Sequence, residues 1–245
     1  MERRHPHRGR GKFAEALPRL RGAASGDLDL PQKATQFEEE GIVKITIIGG
    51  SQGTGAQVAS LAHAADFEVT SLSRSGTGPD GIRAIAGDAT NPAIVADAVA
   101  RADAVVVTVG GTKGVSQPRT AITESVIAAM KESGVRRLVI LSSLGAGESI
   151  TQLPALMRPF ITLLLGKALA DHTEQEAAVR ASGLDWTIVR PTSLNNRQPT
   201  GSWTALRVGE EGKLSGSISR GDLAACILES VTDHSTIGGA LGVSG

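Results

Sequence analysis

The sequence predicts an α/β protein with a Rossmann-type, doubly wound parallel sheet: a single domain preceded by a disordered N-terminal tail. Three observations carry that prediction. Apolar runs alternate with helical patterns from Ile42 to the end of the chain, the mark of βα units building a parallel sheet. Most of these runs are nearly continuous in Val, Ile and Leu, as strands covered on both faces must be. The first run, Ile45-Thr46-Ile47-Ile48, breaks into Gly49-Gly50-Ser51-Gln52-Gly53-Thr54-Gly55 ahead of an apolar helical stretch. That order brings backbone amides and a helix N-terminus to one turn, where a pyrophosphate can be held.

Taken in order, strands are expected at 42–48, 67–72, 82–86, 104–109, 137–142 and 186–190. Helices are expected at 55–65, 92–101, 119–133 and 170–182, followed by a late helix at 222–231 and a short final strand at 240–243. Asn91-Pro92 supplies an N-cap and a proline at the first helical position, while Gly134 and Gly183 sit where helices end. No internal repeat is apparent.

Residues 1–41 differ from the domain at 42–245. From Met1 to Gly22 there are seven basic residues against Glu2 and Glu15, whereas from Ala23 to Gly41 Lys33 alone faces five acidic residues. The segment lacks sustained apolar periodicity and cannot bury enough surface to offset its ordering entropy. A transit peptide would be rich in arginine and poor in acids, which only the first half satisfies.

Formal charge is balanced, with 25 basic and 25 acidic residues, so neither a nucleic acid nor a membrane is expected as a partner. Cys226 is the only cysteine; it excludes an intrachain disulfide and a cysteine metal cluster, and a reducing cytoplasm fits. No metal site is expected. No window reaches the roughly 18 uninterrupted apolar residues of a membrane span.

The glycine spacing, Gly49-x-x-x-Gly53-x-Gly55, assigns each glycine a task. Gly49 closes the turn after the strand, Gly53 lets the backbone approach the phosphates, and Gly55 lets the helix pack close to the sheet, with Ser51, Gln52 and Thr54 completing the loop. The second strand runs into Ser73-Arg74-Ser75, nineteen residues beyond Gly55. A carboxylate here would accept bonds from a ribose 2′-hydroxyl, whereas a guanidinium flanked by hydroxyls suits a 2′-phosphate. Ser73 and Arg74 therefore point to NADP. Two further loops follow strands: Gly87-Asp88-Ala89, where Asp88 and the Ala89 amide can meet the adenine edge, and Gly110-Gly111-Thr112, which gives close backbone access to a ribose or nicotinamide.

Residues 42–245 resemble the atypical branch of the short-chain dehydrogenase/reductase superfamily, especially the NAD(P)H-binding group that includes biliverdin-IXβ reductase/flavin reductase and the NmrA-like proteins. The likeness rests on the glycine loop, Leu72-Ser73-Arg74, Gly87-Asp88, Ala128-Ala129-Met130-Lys131-Glu132-Ser133-Gly134-Val135, Leu141-Ser142-Ser143 and Asp185-Trp186-Thr187-Ile188-Val189-Arg190-Pro191. It implies the fold and NADP binding, and it places Pro191 near the nicotinamide end. Family members with a full catalytic set use a Tyr-x-x-x-Lys pair, yet this chain has no tyrosine. The standard carbonyl mechanism is thereby excluded.

In the biliverdin/flavin reductase pattern a serine at this strand end and a histidine at the start of the next helix line the substrate pocket, and Ser143 and His172 match those positions. Ser143 can orient an acceptor, and His172 can supply a proton or shape the pocket. The apolar stretch Leu153 to Leu165 reads either as a lid over a flat hydrophobic acceptor or as a helix burying against the domain or a second subunit. Arg190 reads as a structural pairing residue. The leading expectation is an NADPH-dependent oxidoreductase that passes hydride to a flat apolar acceptor such as a flavin, quinone or tetrapyrrole. The alternative is a non-catalytic NADP-sensing regulator. The expected partner is a small-molecule acceptor, and the expected state is a monomer or homodimer.

Overall fold

The computed structural model describes residues 8–10, 42–110 and 118–245. The expected tail lies outside the described residues except for strand β1 (Arg8–Arg10), and so does Gly111. The elements that follow are β2 (Lys44–Ile48), α1 (Gly53–Ala64), β3 (Glu68–Ser73), β4 (Arg83–Ala86), α2 (Pro92–Val99) and β5 (Ala104–Val107). After them come α3 (Pro118–Ser133), β6 (Arg137–Leu141), α4 (Arg158–Arg180), β7 (Asp185–Pro191) and β8 (Ser193–Asn195). The chain ends with β9 (Ser202–Leu206), β10 (Ser217–Ser219), α5 (Arg220–Thr232) and β11 (Gly239–Ser244).

One sheet takes the order β1-β9-β11-β7-β6-β5-β2-β3-β4. Every pair from β4 to β11 is parallel, while β9 and β1 are added antiparallel at the far edge. From β2 the chain first builds outward through β3 and β4, then returns to β5 on the other side. The crevice between β2 and β5, at the carboxyl ends of the strands, is the switch point at which such sheets bind ligands.

Alternation along the strands divides the core between the two faces. Ile45, Ile47, Val106 and Val139 pack with Val58, Leu223 and Ile227 of α1 and α5. Ile48, Val105, Val107, Leu138 and Ile140 pack with Val95, Val126, Met130 and Val179 of α2, α3 and α4. Truncating any one of these to alanine removes buried hydrocarbon and leaves a void, at a cost of about 2–5 kcal/mol. Cys226 is buried in the first cluster, where burial pushes its thiol pKa up to about 12, so it packs as a small apolar group.

Helix ends follow local chemistry. Asn91 Oδ1 accepts from the Ala93 amide at 3.1 Å to cap α2, with Pro92 at its start. Ser219 Oγ caps α5 by accepting from the Asp222 amide at 3.0 Å. The main correction to the sequence reading concerns α4, which starts at Arg158 rather than near Ala170. Pro159 in its first turn fixes a helical φ, and the residues beyond it are apolar on all sides, so no single face marks them as amphipathic. Residues 158–165 are not buried against the domain, and Phe160, Ile161, Leu164 and Leu165 border the cleft at the carboxyl ends of the strands. They form the projecting end of α4, with Leu156 just before it 95% exposed and Leu163 82% exposed. Strands β8, β9 and β10, three to five residues each, were not expected.

Candidate functional site

A cleft of about 1630 Å³ runs along the carboxyl ends of the parallel strands. At one end it is built by the turn after β2. Gly49 has φ +93° and Gly53 has φ +59°, a region that L side chains rarely adopt. Gly55 is buried beneath the turn rather than in the cleft. A Cβ on it would stand 2.2 Å from the Gly49 carbonyl oxygen and 2.5 Å from Thr108 Oγ1, so only glycine lets α1 approach this closely. Gln52, the N-cap of α1, contributes no side-chain hydrogen bond, and no acidic residue occupies the first turn. The first amides of α1 are left to an anion.

Ser51, Gln52, Gly53 and Thr54 line this end together with Gly49. Next to it, Ser73 ends β3 and exposed Arg74 follows, both on the cleft wall. Ser73 Oγ lies 3.3 Å from Ser75 Oγ, and Ser75 Oγ lies 2.7 Å from Thr77 Oγ1, which gathers hydroxyls beside the guanidinium. Asp88 and Ala89 line the cleft after β4. Asp88 Oδ1 accepts from the Thr90 amide at 2.9 Å and from the Thr90 hydroxyl at 2.8 Å. These two bonds hold its carboxyl below the ordinary range against slight burial, with Arg74 adding to the effect. The carboxylate is thus ionised and fixed in place. Gly110 borders the cleft after β5 with open space where a Cβ would stand. The glycine cradle, its uncapped helix end and Arg74 fit a phosphorylated dinucleotide.

Beyond β5 the cleft continues past Ser142 and Ser143 after β6 and past Pro191 and Thr192 at the end of β7. Ser142 Oγ donates to Glu176 Oε1 at 2.6 Å. Glu176 pairs in turn with Arg190, which is fully buried on β7 and also donates to Glu148 at 3.0 Å. This network ties β6 and β7 to α4 directly beneath the cleft. Ser143 is half-buried, and its hydroxyl donates to the Leu144 carbonyl at 3.3 Å, a long bond that is readily exchanged.

His172 lines the cleft from α4 and is 8% exposed. Burial, helped by the charge of Arg119, lowers its pKa to about 4, so the ring is neutral near pH 7. Gln175 Nε2 donates to Thr123 Oγ1 at 3.0 Å, and Gln175 Oε1 faces His172 Nδ1 at 3.2 Å. That orientation assigns the ring proton to Nδ1. Asp171, next to it, is engaged at the start of α3. Burial alone would raise its pKa, but bonds from the Thr120 and Arg119 amides and side chains hold it below the carboxylate range.

The far end of the cleft is apolar. Met157, Phe160, Ile161, Leu164 and Leu165 form one wall, and Leu194 and Leu214 come from the β8–β10 region. Several polar residues of the wall escaped the sequence reading, among them Thr90, Thr108, Arg119, Asn196 and Arg220. For Arg220 a signal existed, because Ser219-x-x-Asp222 reads as a capping box and puts Arg220 at the first position of α5.

A sequence model of a family described as NAD(P)H-binding matches residues 49–234. The uncharacterized sugar epimerase YhfK of Bacillus subtilis is 26% identical over 206 residues, covering 79% of this chain and 90% of that one. Among solved structures, ChuY, an anaerobillin reductase from Escherichia coli O157:H7, matches with a TM-score of 0.69 at 24% identity, over 82% of this chain and 97% of that one. A short-chain dehydrogenase/reductase from Veillonella parvula in complex with NADP matches with a TM-score of 0.71 at 18% identity, over 83% and 94% of the two chains. Both solved structures share the doubly wound fold.

Proposed function

The chain belongs to the NAD(P)H-binding family, and from that premise we propose that it is an NADPH-dependent oxidoreductase that reduces a flat apolar acceptor of the flavin, quinone or tetrapyrrole kind. The observation that carries this reading is the continuity of one cleft from the glycine turn and Arg74 to the apolar wall of Phe160, Ile161, Leu164 and Leu165. Bound NADPH would supply hydride to an acceptor in the apolar half. Gly49, Gly53 and the first turn of α1 would hold the pyrophosphate, and Arg74 with Ser73 the 2′-phosphate. Asp88 and Ala89 would face the adenine, and Gly110 and Pro191 the nicotinamide half.

The residues near Ser143 position the acceptor rather than supply its proton. No tyrosine exists in the chain, and the proton of neutral His172 faces Gln175. The imidazole shapes the wall and leaves Nε2 as an acceptor, while the Ser143 hydroxyl is free to turn toward a carbonyl or ring nitrogen. Water then provides the proton. Flat conjugated acceptors tolerate this, because placement supplies most of the rate. The shared fold with ChuY, an anaerobillin reductase, supports a tetrapyrrole among the candidates.

The test is an acceptor screen with purified protein. Loss of NADPH absorbance is expected with at least one flavin, quinone or linear tetrapyrrole and not with simple aldehydes or ketones. NADPH binding without turnover of any of them would favour the cofactor-sensing alternative, which the missing tyrosine also supports.

A further inference from the structure

One cation of the cleft has no task in this scheme. Arg220 opens α5, and its guanidinium stands against the glycine turn, with Nε 3.8 Å from where a Cβ on Gly53 would lie. Its Nη1 donates to Asn196 Oδ1 at 2.6 Å, and both residues line the cleft beside Gln52 and Gln57. Among the described residues no carboxylate forms an ion pair with it. Asp222, in the same turn, is 2% exposed and turned away, accepting from Ser219 Oγ, the Thr200 amide and the Gly201 amide.

Gly221, the next residue, packs closest to Pro199, with a Cβ there 3.0 Å from Pro199 Cβ, and also borders α1, with Gln57 Oε1 3.4 Å away; Arg220 itself reaches Gly53 in the first turn of α1. The first turns of α1 and α5 are therefore neighbours, and each carries partial positive charge from its aligned peptides. Asp222 already offsets the first turn of α5, but no acidic residue lies in the first turn of α1, so the Arg220 guanidinium beside that turn costs free energy unless an anion joins the group. The neutral amide oxygen of Asn196 aims the guanidinium without cancelling its charge.

We propose that Arg220, steadied by Asn196, is a second guanidinium contact of the cofactor and binds its pyrophosphate, whereas Arg74 binds the 2′-phosphate. The inference rests on the dinucleotide reading above and divides the two anionic groups of NADPH between two arginines far apart in the sequence. A planar fork of donors suits a diphosphate better than a point charge.

Affinities for NADPH and for adenosine 2′-monophosphate, which lacks the pyrophosphate, test the division, measured on wild type, R220Q, R220K, N196A and R74Q. R220Q is expected to weaken NADPH about tenfold or more, in the range of one charge-assisted hydrogen bond, and to leave the 2′-monophosphate within about twofold. R220K and N196A should fall between R220Q and wild type for NADPH, and R74Q should weaken both ligands. The inference is overturned if R220Q binds NADPH like wild type, or if it weakens both ligands equally. Should R220Q not fold, R220K and N196A carry the same comparison. A wild-type chain that binds no NADPH would overturn the dinucleotide reading and this inference with it.

Discussion

Arg190 and Glu176 form an ion pair inside the protein, with Nε of the fully buried guanidinium donating to Glu176 Oε1 at 2.8 Å. Because Ser142 Oγ donates to the same carboxylate oxygen, the pair fixes β6, β7 and α4 at the floor of the cleft. Glu176→Leu leaves a buried guanidinium with only Glu148 as a partner, at an expected cost of about 3–5 kcal/mol. The double variant Glu176→Leu/Arg190→Met removes both charges and should lose less. Urea unfolding of the two variants checks this, and a double variant less stable than the single one would contradict it.

Gly55 sets the second prediction. A methyl group there meets the Gly49 carbonyl at 2.2 Å, so Gly55→Ala must push α1 away from the turn and disturb the amides that face the phosphates. NADPH affinity should fall by at least about tenfold, or about 1.4 kcal/mol. Gly110→Ala, where the space is open, should leave the fold intact by circular dichroism and thermal unfolding.

His172 gives a pH signature. Its pKa in the folded chain lies near 4, below the ordinary 6.5, so the unfolded chain binds the extra proton first as pH falls. Its contribution to stability is complete above about pH 6.5, declines between pH 6.5 and pH 4, and levels off below. Urea midpoints of wild type and His172→Gln across this window should converge as pH drops, after allowance for the carboxylates that titrate in both. A His172 ring that titrates near pH 6.5 by proton NMR would contradict the assignment.

The apolar wall can be tested apart from the cofactor end. Phe160→Ser and Leu164→Ser alter exposed side chains, so stability should hold within about 0.5 kcal/mol. For an acceptor found in the screen, KM should rise severalfold while NADPH affinity stays unchanged. A change in NADPH affinity instead would move this wall out of the acceptor half.

The parallel sheet was legible because its strands are buried on both faces, which leaves continuous runs such as Ala104 to Val107 and Arg137 to Leu141. The turn after β2 was legible because close backbone approach admits only glycine at Gly55. Residues 158–165 were not, since periodicity reports a helix only when one face is apolar and the other polar, and this end of α4 is apolar all round. Short β8, β9 and β10 lacked the length for a strand pattern to emerge. Arg220 is near Gly53 only because α5 packs on α1, a tertiary fact that neither stretch of sequence contains. The neutrality of His172 likewise follows from burial and from Gln175 and Thr123, not from its place in the chain.

The central claim is that an adenine dinucleotide with a 2′-phosphate docks on the turn after β2 with Arg74 at that phosphate. Titration calorimetry of wild type and Arg74→Asp with NADPH and NADH tests it most directly. The account predicts saturable binding of NADPH by wild type, at least about tenfold tighter than NADH, and a preference that is lost or reversed in Arg74→Asp. Binding of neither coenzyme by wild type, or an unchanged preference in the variant, would contradict it.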